Sequence, residues 1–225
     1  MANSPYPFIP YSIKTYPLEE MRQKVSKFYK WADERRSVRD FSDKAISREI
    51  IENLIKTANT APSGAHKQPW TFVVVDNPDL KRKIRIAAEK EEKKSYDSRM
   101  SEEWLRDLAP IGTTWRKPFI ETVPYIIVVF EQFYGWDPKK EVKSKHYYVK
   151  ESVGIAVGFL ILAIRNAGLV TLTHTPSPMN FLRDILGRPK NERPYVLLPV
   201  GYPSDLACVP DLRRKNLNEI LQWNN

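Results

Sequence analysis

Val123-Pro-Tyr-Ile-Ile-Val-Val-Phe130 is an unbroken apolar stretch in a chain otherwise rich in charge. A strand with one wet face alternates polar and apolar side chains, whereas a strand covered on both faces reads as a continuous apolar run. The stretch therefore predicts a central strand with a layer of structure on each side. Working outward, Trp70–Val75 (WTFVVV) is β-branched and aromatic enough for a second strand, and Leu169–Thr173 and Tyr195–Val200 read as two more. Helical patterns alternate with them. Leu18–Asp33 sets Met21, Val25 and Phe28 at helical spacing, and Ser47 is a candidate N-cap before Ile50, Ile51, Leu54 and Ile55. Pro78 to about Arg99 reads as a charged helix, and Trp104–Ile120 as one or two short ones. Tyr147–Asn166 is a long apolar helix with Gly168 where a C-terminal cap belongs, and Phe181–Leu186 is a short helix. Alternation of this kind along 225 residues predicts one α/β or α+β domain with a substantial core.

The two ends read differently. Pro5, Pro7, Pro10 and Pro17 predict an extended N-terminal arm over residues 1–17, because proline has no donor for a helix. Residues 209–225 form a basic C-terminal extension with a short amphipathic piece, Leu217, Ile220 and Leu221. No basic region followed by an apolar run opens the chain, and Val153–Ile164 is too short to span a bilayer, so a soluble, cytoplasmic protein is expected. Gly154 and Gly158 inside that run suggest close helix contact.

Composition removes several classes of function. Only 8 glycines are present and none falls in a dinucleotide fingerprint or a phosphate loop. One cysteine, Cys208, allows no internal disulfide, and three separated histidines, His66, His146 and His174, argue against a metal site. The formal charge of +9 leaves open a basic nucleic-acid-binding module, an anionic cofactor or a merely solvated surface.

Three separated pieces look chemical: Arg35-Arg36-Ser37-Val38-Arg39, then Thr60-Ala-Pro-Ser-Gly-Ala65 leading into His66-Lys67-Gln68-Pro69-Trp70, and Arg213-Arg214-Lys215. Arginine forks match phosphate oxygens, and small loop residues let backbone N–H groups approach a ligand. Taken singly, each could equally be a solvated basic patch or a plain turn. Glu92 and Tyr96 stand four apart and so share a helix face, with Lys117 following two short elements later. On spacing alone, Glu92 could be one more charge on a surface helix. Trp70, Trp104 and Trp115 read as packing residues, and neither His66 nor Cys208 has an evident role.

Taken together and in order, RRSVRDFS (35–42), TAPSGAHKQPWTFVVV (60–75), HYYVKESVGIAVG (146–158), NAGLVTLTHTP (166–176), LLPVGYP (197–203) and VPDLRRK (209–215) resemble the nitroreductase superfamily of FMN flavoproteins. PSGAH with PW, and VPDLRRK after VGYP, resemble its iodotyrosine deiodinase branch more narrowly. The resemblance runs from about Trp31 to Ile220. It implies an α+β (α/β sandwich) nitroreductase-like fold, with a central mixed β-sheet flanked by helices, in one domain over residues 1–225. It further implies an intertwined homodimer with FMN at the subunit interface and chain ends wrapping the partner.

The same resemblance implies roles for particular residues. Arg35, Ser37 and Arg214 would contact the FMN phosphate within the run that includes Arg36 and Val38, and Arg39 the N1/O2 edge of the flavin. Ser63 and Gly64 would line the cofactor, and the Ala65 N–H would bind the substrate phenolate. Thr173, His174 and Thr175 would run past the flavin, with Thr175 donating to its N5. Residues from about 86 to 121 would form a lid in which Glu92, Tyr96 and Lys117 grip an amino-acid zwitterion. The activity implied is reductive dehalogenation of halotyrosines. NAD(P)H would be the ultimate electron donor, directly or through a separate flavin reductase. A generic FMN-dependent nitroreductase or quinone reductase is the alternative on the same scaffold. One departure stands out: His174 lies where vertebrate deiodinases carry threonine.

Overall fold

A computed structural model describes residues 5–137, 139 and 141–224 of the chain. The first four residues of the expected arm, and Asn225, lie outside the described residues. The chain divides into two compact units, residues 1–35 and 36–225.

In the first unit, residues 5–17 carry no helix or strand, as the prolines predict, and helix α1 (Leu18–Asp33) follows. Glu19 and Glu20 in its first turn and Lys30 in its last complement the helix dipole. The helix forms where the spacing puts it, yet it buries no residue: Val25 and Phe28 are 66% and 57% exposed.

The second unit is built on a four-stranded sheet in the order β1 (Trp70–Val75), β2 (Tyr125–Gln132), β6 (Glu192–Gly201), β5 (Val170–Thr171). Its ladders are all antiparallel, and the mixed character expected comes only from a parallel bridge between Ser37 and Thr171. β2 has the environment its sequence demands. Tyr125, Ile127 and Val129 join a core with α2 (Arg48–Ala58) and α6 (Val149–Asn166), through Ile51, Leu54, Val153, Ala156 and Leu160. Ile126, Val128 and Phe130 pack on the other face with Ile84 and Ala88 of α3 (Pro78–Lys94), Phe119 and Ile120 of α5 (Phe119–Thr122), and Leu182 of α7 (Asn180–Ile185). Burying each such side chain contributes roughly 1.5–3 kcal/mol, which is why the sheet centre admits no polar residue.

Local signals set the element ends. Asn77 caps α3, its side chain accepting from the Leu80 N–H at 3.0 Å, with Pro78 at the first helical position. Gly168 takes φ +73° and its N–H donates to the Arg165 carbonyl at 3.0 Å, closing α6. The charged helix expected to run to Arg99 is α-helical only to Lys94. Ser95–Arg99 is a turn of π-helix, and α4 (Glu102–Leu108) follows with Ser101 as its cap. A hairpin, β3 (Tyr134–Asp137) and β4 (Val142–Lys145), has no counterpart in the sequence reading. Its lysines and Gly135 hide any alternation. Gly158 has open space beside it and Gly154 approaches only the Tyr195 hydroxyl, so within one chain the small-residue pair brings no helix close.

Candidate active site

Helix α3 delivers the first functional side chains. Glu89, Glu92 and Tyr96 follow at helical spacing, and the π turn after Lys94 carries Tyr96 onward on the same side. The segment 113–117 returns beneath them. The Lys117 N–H donates to Glu89 Oε1 at 2.8 Å, so the helix fixes the backbone of the lysine it faces. Lys117 Nζ donates to Thr113 Oγ1 at 3.1 Å and to the Thr114 carbonyl, and lies 3.6 Å from Glu92 Oε2. Tyr96 donates its hydroxyl proton to the Thr113 carbonyl at 3.2 Å.

Glu92, Tyr96, Thr113 and Lys117 line a cavity of about 230 Å³ together with Arg39, Thr173, His174 and Thr175. Met100, Trp104, Leu108, Phe119 and Leu172 supply its apolar wall. Burial pushes the Glu92 carboxyl above its usual range and the Lys117 ammonium below its own, each held back by the other's charge. A buried ion pair of this kind is poorly solvated and gains from an incoming ligand that carries both charges.

Arg39 reaches the cavity because Val38, 6% exposed, anchors the strand-like run, its N–H donating to the Thr171 carbonyl at 3.3 Å. Alternation then turns Ser37 and Arg39 away from the core. The Arg39 guanidinium is half-buried, which lowers its pKa, and among the described residues no carboxylate pairs with it. Along Thr173-His174-Thr175 the two threonines are exposed and the histidine is buried. Its backbone is locked to β6 by two bonds, His174 N–H to the Leu197 carbonyl at 2.9 Å and Leu197 N–H to the His174 carbonyl at 3.0 Å.

The loop Ser63–Ala65 is held elsewhere. Gly64 N–H donates to Ser152 Oγ at 3.3 Å, and Ser152 donates to the Tyr148 carbonyl at 2.6 Å. A Cβ on Gly64 would lie 2.6 Å from the Tyr147 carbonyl oxygen, so only glycine fits this close approach. Ser63 Oγ accepts from the Gln68 N–H at 2.9 Å, and Ala65 and His66 take φ of 49° and 53°, strained values for residues with a side chain. The Ala65 amide takes part in none of these bonds and sits on an exposed residue.

One cavity thus collects Arg39, Glu92, Tyr96, Lys117, Thr173, His174 and Thr175 of the expected site residues. Arg36, Ser37 and Val38 lead into it along the chain. Ser63, Gly64, Ala65 and Arg214 do not line it, and Arg35 closes the first unit. Sequence reasoning missed Thr113, Thr114 and Glu89, which hold Lys117. Glu89 was within reach, since it stands three residues before Glu92 on the same helix face.

Comparison with known proteins gives the family. Residues 32–202 match the Nitroreductase family model. An iodotyrosine deiodinase of Haliscomenobacter hydrossis is 61% identical over 93% of this chain and 94% of its own. The chain belongs to the iodotyrosine deiodinases of the nitroreductase family. Iodotyrosine deiodinase 1 of Homo sapiens is 49% identical over 95% of this chain and 74% of its own length. Among solved structures, an oxidised iodotyrosine deiodinase bound to FMN and 3-iodo-L-tyrosine superposes with a TM-score of 0.74. It is 34% identical and covers 88% of this chain and 98% of that one. A nitroreductase-like protein of Streptococcus mutans, 18% identical with a TM-score of 0.67 over 90% of this chain and all of its own, shares the fold.

No described helix is long and apolar enough to cross a membrane, and among the described residues no group of three metal-binding side chains occurs. Part of the basic surplus on α3 and the π turn after it is engaged, while Arg82, Lys83, Lys90 and Lys93 are exposed. Lys81 donates to the Glu121 and Val123 carbonyls, Arg85 pairs with Glu89 and Glu121, and Lys94 and Arg99 both pair with Glu91.

Proposed function

We propose that this protein is an FMN-dependent reductive dehalogenase of halotyrosines. The observation that carries the reading is the paired, half-dry set Glu92, Lys117 and Tyr96 around one cavity. A solved relative of the same fold is bound to FMN and 3-iodo-L-tyrosine. In the reaction the halotyrosine takes up two electrons and a proton, its carbon–halogen bond gives way to carbon–hydrogen, and halide leaves.

The residues present fit FMN. Arg39 offers a half-buried cation with no carboxylate partner among the described residues, suited to the electron-rich edge of a flavin. Thr173 and Thr175 present exposed hydroxyls in the same cavity, and the family resemblance gives the phosphate to Arg35, Ser37 and Arg214. When bound, FMN supplies the electrons. The chain's own residues do the rest. Glu92 accepts from the substrate ammonium, Lys117 and the Tyr96 hydroxyl donate to its carboxylate, and the Ala65 N–H, unspent in the loop bonds, donates to the phenolate. Met100, Trp104 and Leu108 keep water from these charge-assisted bonds and so strengthen them.

The same reading makes the enzyme a homodimer. Ser63–Ala65 and Arg39 serve one ligand yet do not line one cavity within a chain, and a second copy would bring the missing half. On α6, Ile155 and Phe159 are exposed beside the open Gly158. The reading also carries NAD(P)H as ultimate reductant, directly or through a separate flavin reductase, and a cytoplasmic setting. Glu92→Gln is expected to weaken 3-iodo-L-tyrosine binding at least tenfold while FMN stays bound. Titration of the holoprotein, followed by flavin fluorescence, checks this. Unchanged affinity would overturn the assignment of Glu92, Tyr96 and Lys117 to the substrate zwitterion.

A further inference from the structure

His174 and Lys117 are the two most buried polar residues among the described lining of the cavity. His174 is 5% exposed, stands edge-on to Phe119 with ring centroids 5.9 Å apart, and is fixed through its backbone to β6. Its Nδ1 lies 4.0 Å from Glu92 Oε1, while Glu92 Oε2 faces Lys117 at 3.6 Å. Its Nε2 is buried without a hydrogen-bond partner among the described residues. Resting on the zwitterion-grip reading, we propose that His174 is a positioning residue for Glu92: its Nδ1–H, 4.0 Å from one carboxylate oxygen here, closes on and holds that oxygen when the other changes partner from Lys117 to the substrate ammonium.

The two carboxylate oxygens make this division possible. In this structure Lys117 is committed to Glu92, Thr113 and Thr114. To bind a substrate carboxylate it must leave Glu92, which then loses the contact on Oε2. A long carboxylate side chain released on one side takes up new rotamers unless something holds the other oxygen. His174 is held in place on that side, since ring and backbone are both packed. The tautomer follows from the same surroundings. With the proton on Nε2, the imidazole would turn a lone pair on the Glu92 carboxylate and strand a buried N–H. With the proton on Nδ1, the donor faces the carboxylate and only an acceptor is left unpaired. Burial, with the charges of Lys117 and Arg39, lowers the imidazole pKa to about 3, so the ring is neutral at working pH and carries a single proton to place.

The test compares 3-iodo-L-tyrosine with 2-iodophenol, which has no zwitterion, by calorimetric titration of the FMN-loaded protein. His174→Leu fills the space without a donor and is expected to weaken 3-iodo-L-tyrosine roughly tenfold, leaving 2-iodophenol and FMN unchanged. His174→Asn returns a donor near Nδ1 and is expected to bind within about threefold of the original. Leucine binding 3-iodo-L-tyrosine within twofold of the original overturns the proposal. So does an equal loss for both ligands, or an asparagine no better than leucine, since either marks a merely structural role. Nitrogen NMR of histidine-labelled holoprotein reads the tautomer without any variant, and a proton on Nε2 also overturns it. Glu92→Gln in the same titration separates the two readings. If it weakens 3-iodo-L-tyrosine while His174→Leu does not, the grip stands and the positioning role falls. If Glu92→Gln changes nothing, the grip falls and the positioning role with it.

Discussion

His174 shows how one residue can couple the site to stability. Its imidazole is neutral in the folded protein down to about pH 3, whereas in the unfolded chain it takes up a proton near its ordinary value of 6.5. Between those limits the unfolded state binds more protons, so stability rises with pH and the contribution of the neutral ring is complete only above pH 6.5. It is lost as the pH falls, at up to about 1.4 kcal/mol per unit. Glu92 and Lys117 shift by burial too, so the acid limb of the whole protein is a sum; the difference between the protein and His174→Leu isolates the histidine. Denaturant melts at a series of pH values are expected to show a constant difference between the two near pH 7 and the original losing stability faster below pH 6. Parallel curves throughout would mean that the ring titrates in the fold as it does in the unfolded chain.

At the scale of elements, helix α3 has to be held against the sheet and still offer a face to the cavity. The hold is polar as well as apolar. Ile84 and Ala88 are fully buried, and Lys81, 7% exposed, sends its ammonium to the Glu121 carbonyl at 3.1 Å and the Val123 carbonyl at 2.6 Å. Burial lowers the Lys81 pKa, offset in part by Asp76 and Glu121. Lys81→Ala leaves those carbonyls without the donor and removes the packed stem, and an expected loss of about 2–3 kcal/mol follows. Urea unfolding measures it, and a loss below about 0.5 kcal/mol would place the anchor elsewhere. The elements were legible wherever a local signal was strong. β2 announced itself because its apolar run has no polar position, and α3 because a long charged helical pattern opens at Pro78. The π turn after Lys94 and the β3–β4 hairpin were not legible. The first depends on how Lys117 and Thr113 return beneath the helix, and the second on turn geometry that its lysines do not signal. For the site, spacing alone paired Glu92 with Tyr96. Which of them faces Lys117, and that His174 lies under Glu92, depends on β6 locking the Thr173–Thr175 run, a contact between residues far apart in sequence.

For the whole molecule, the unsolved part of the geometry is where Ser63–Ala65 meets Arg39, and the proposed dimer makes a specific demand on α6. That helix buries Val153, Ala156, Leu160 and Ile164 on one side and leaves Ile155 44% and Phe159 38% exposed on another, next to a glycine with nothing within 4 Å. Exposed apolar side chains around an open glycine suit a second helix packed close, because the missing Cβ lets two backbones approach. Leu206, Leu217 and Ile220 in the C-terminal segment, at 89%, 66% and 68%, are likewise bare in a single chain. Ile155→Glu puts a charge on the α6 face without touching either core cluster, so the fold is expected to survive with little change in far-UV circular dichroism. Burying an unpaired carboxylate in an interface costs several kcal/mol, enough to shift a dimer toward monomer at micromolar concentration. Sedimentation equilibrium should then read a single chain of 26.2 kDa where the original reads a dimer. FMN occupancy should fall in step, because half the expected ligand contacts leave with the partner. A monomer that keeps its FMN would show that Ser63–Ala65 and Arg39 do not need a second copy to meet. A variant that stays dimeric would move the interface off α6.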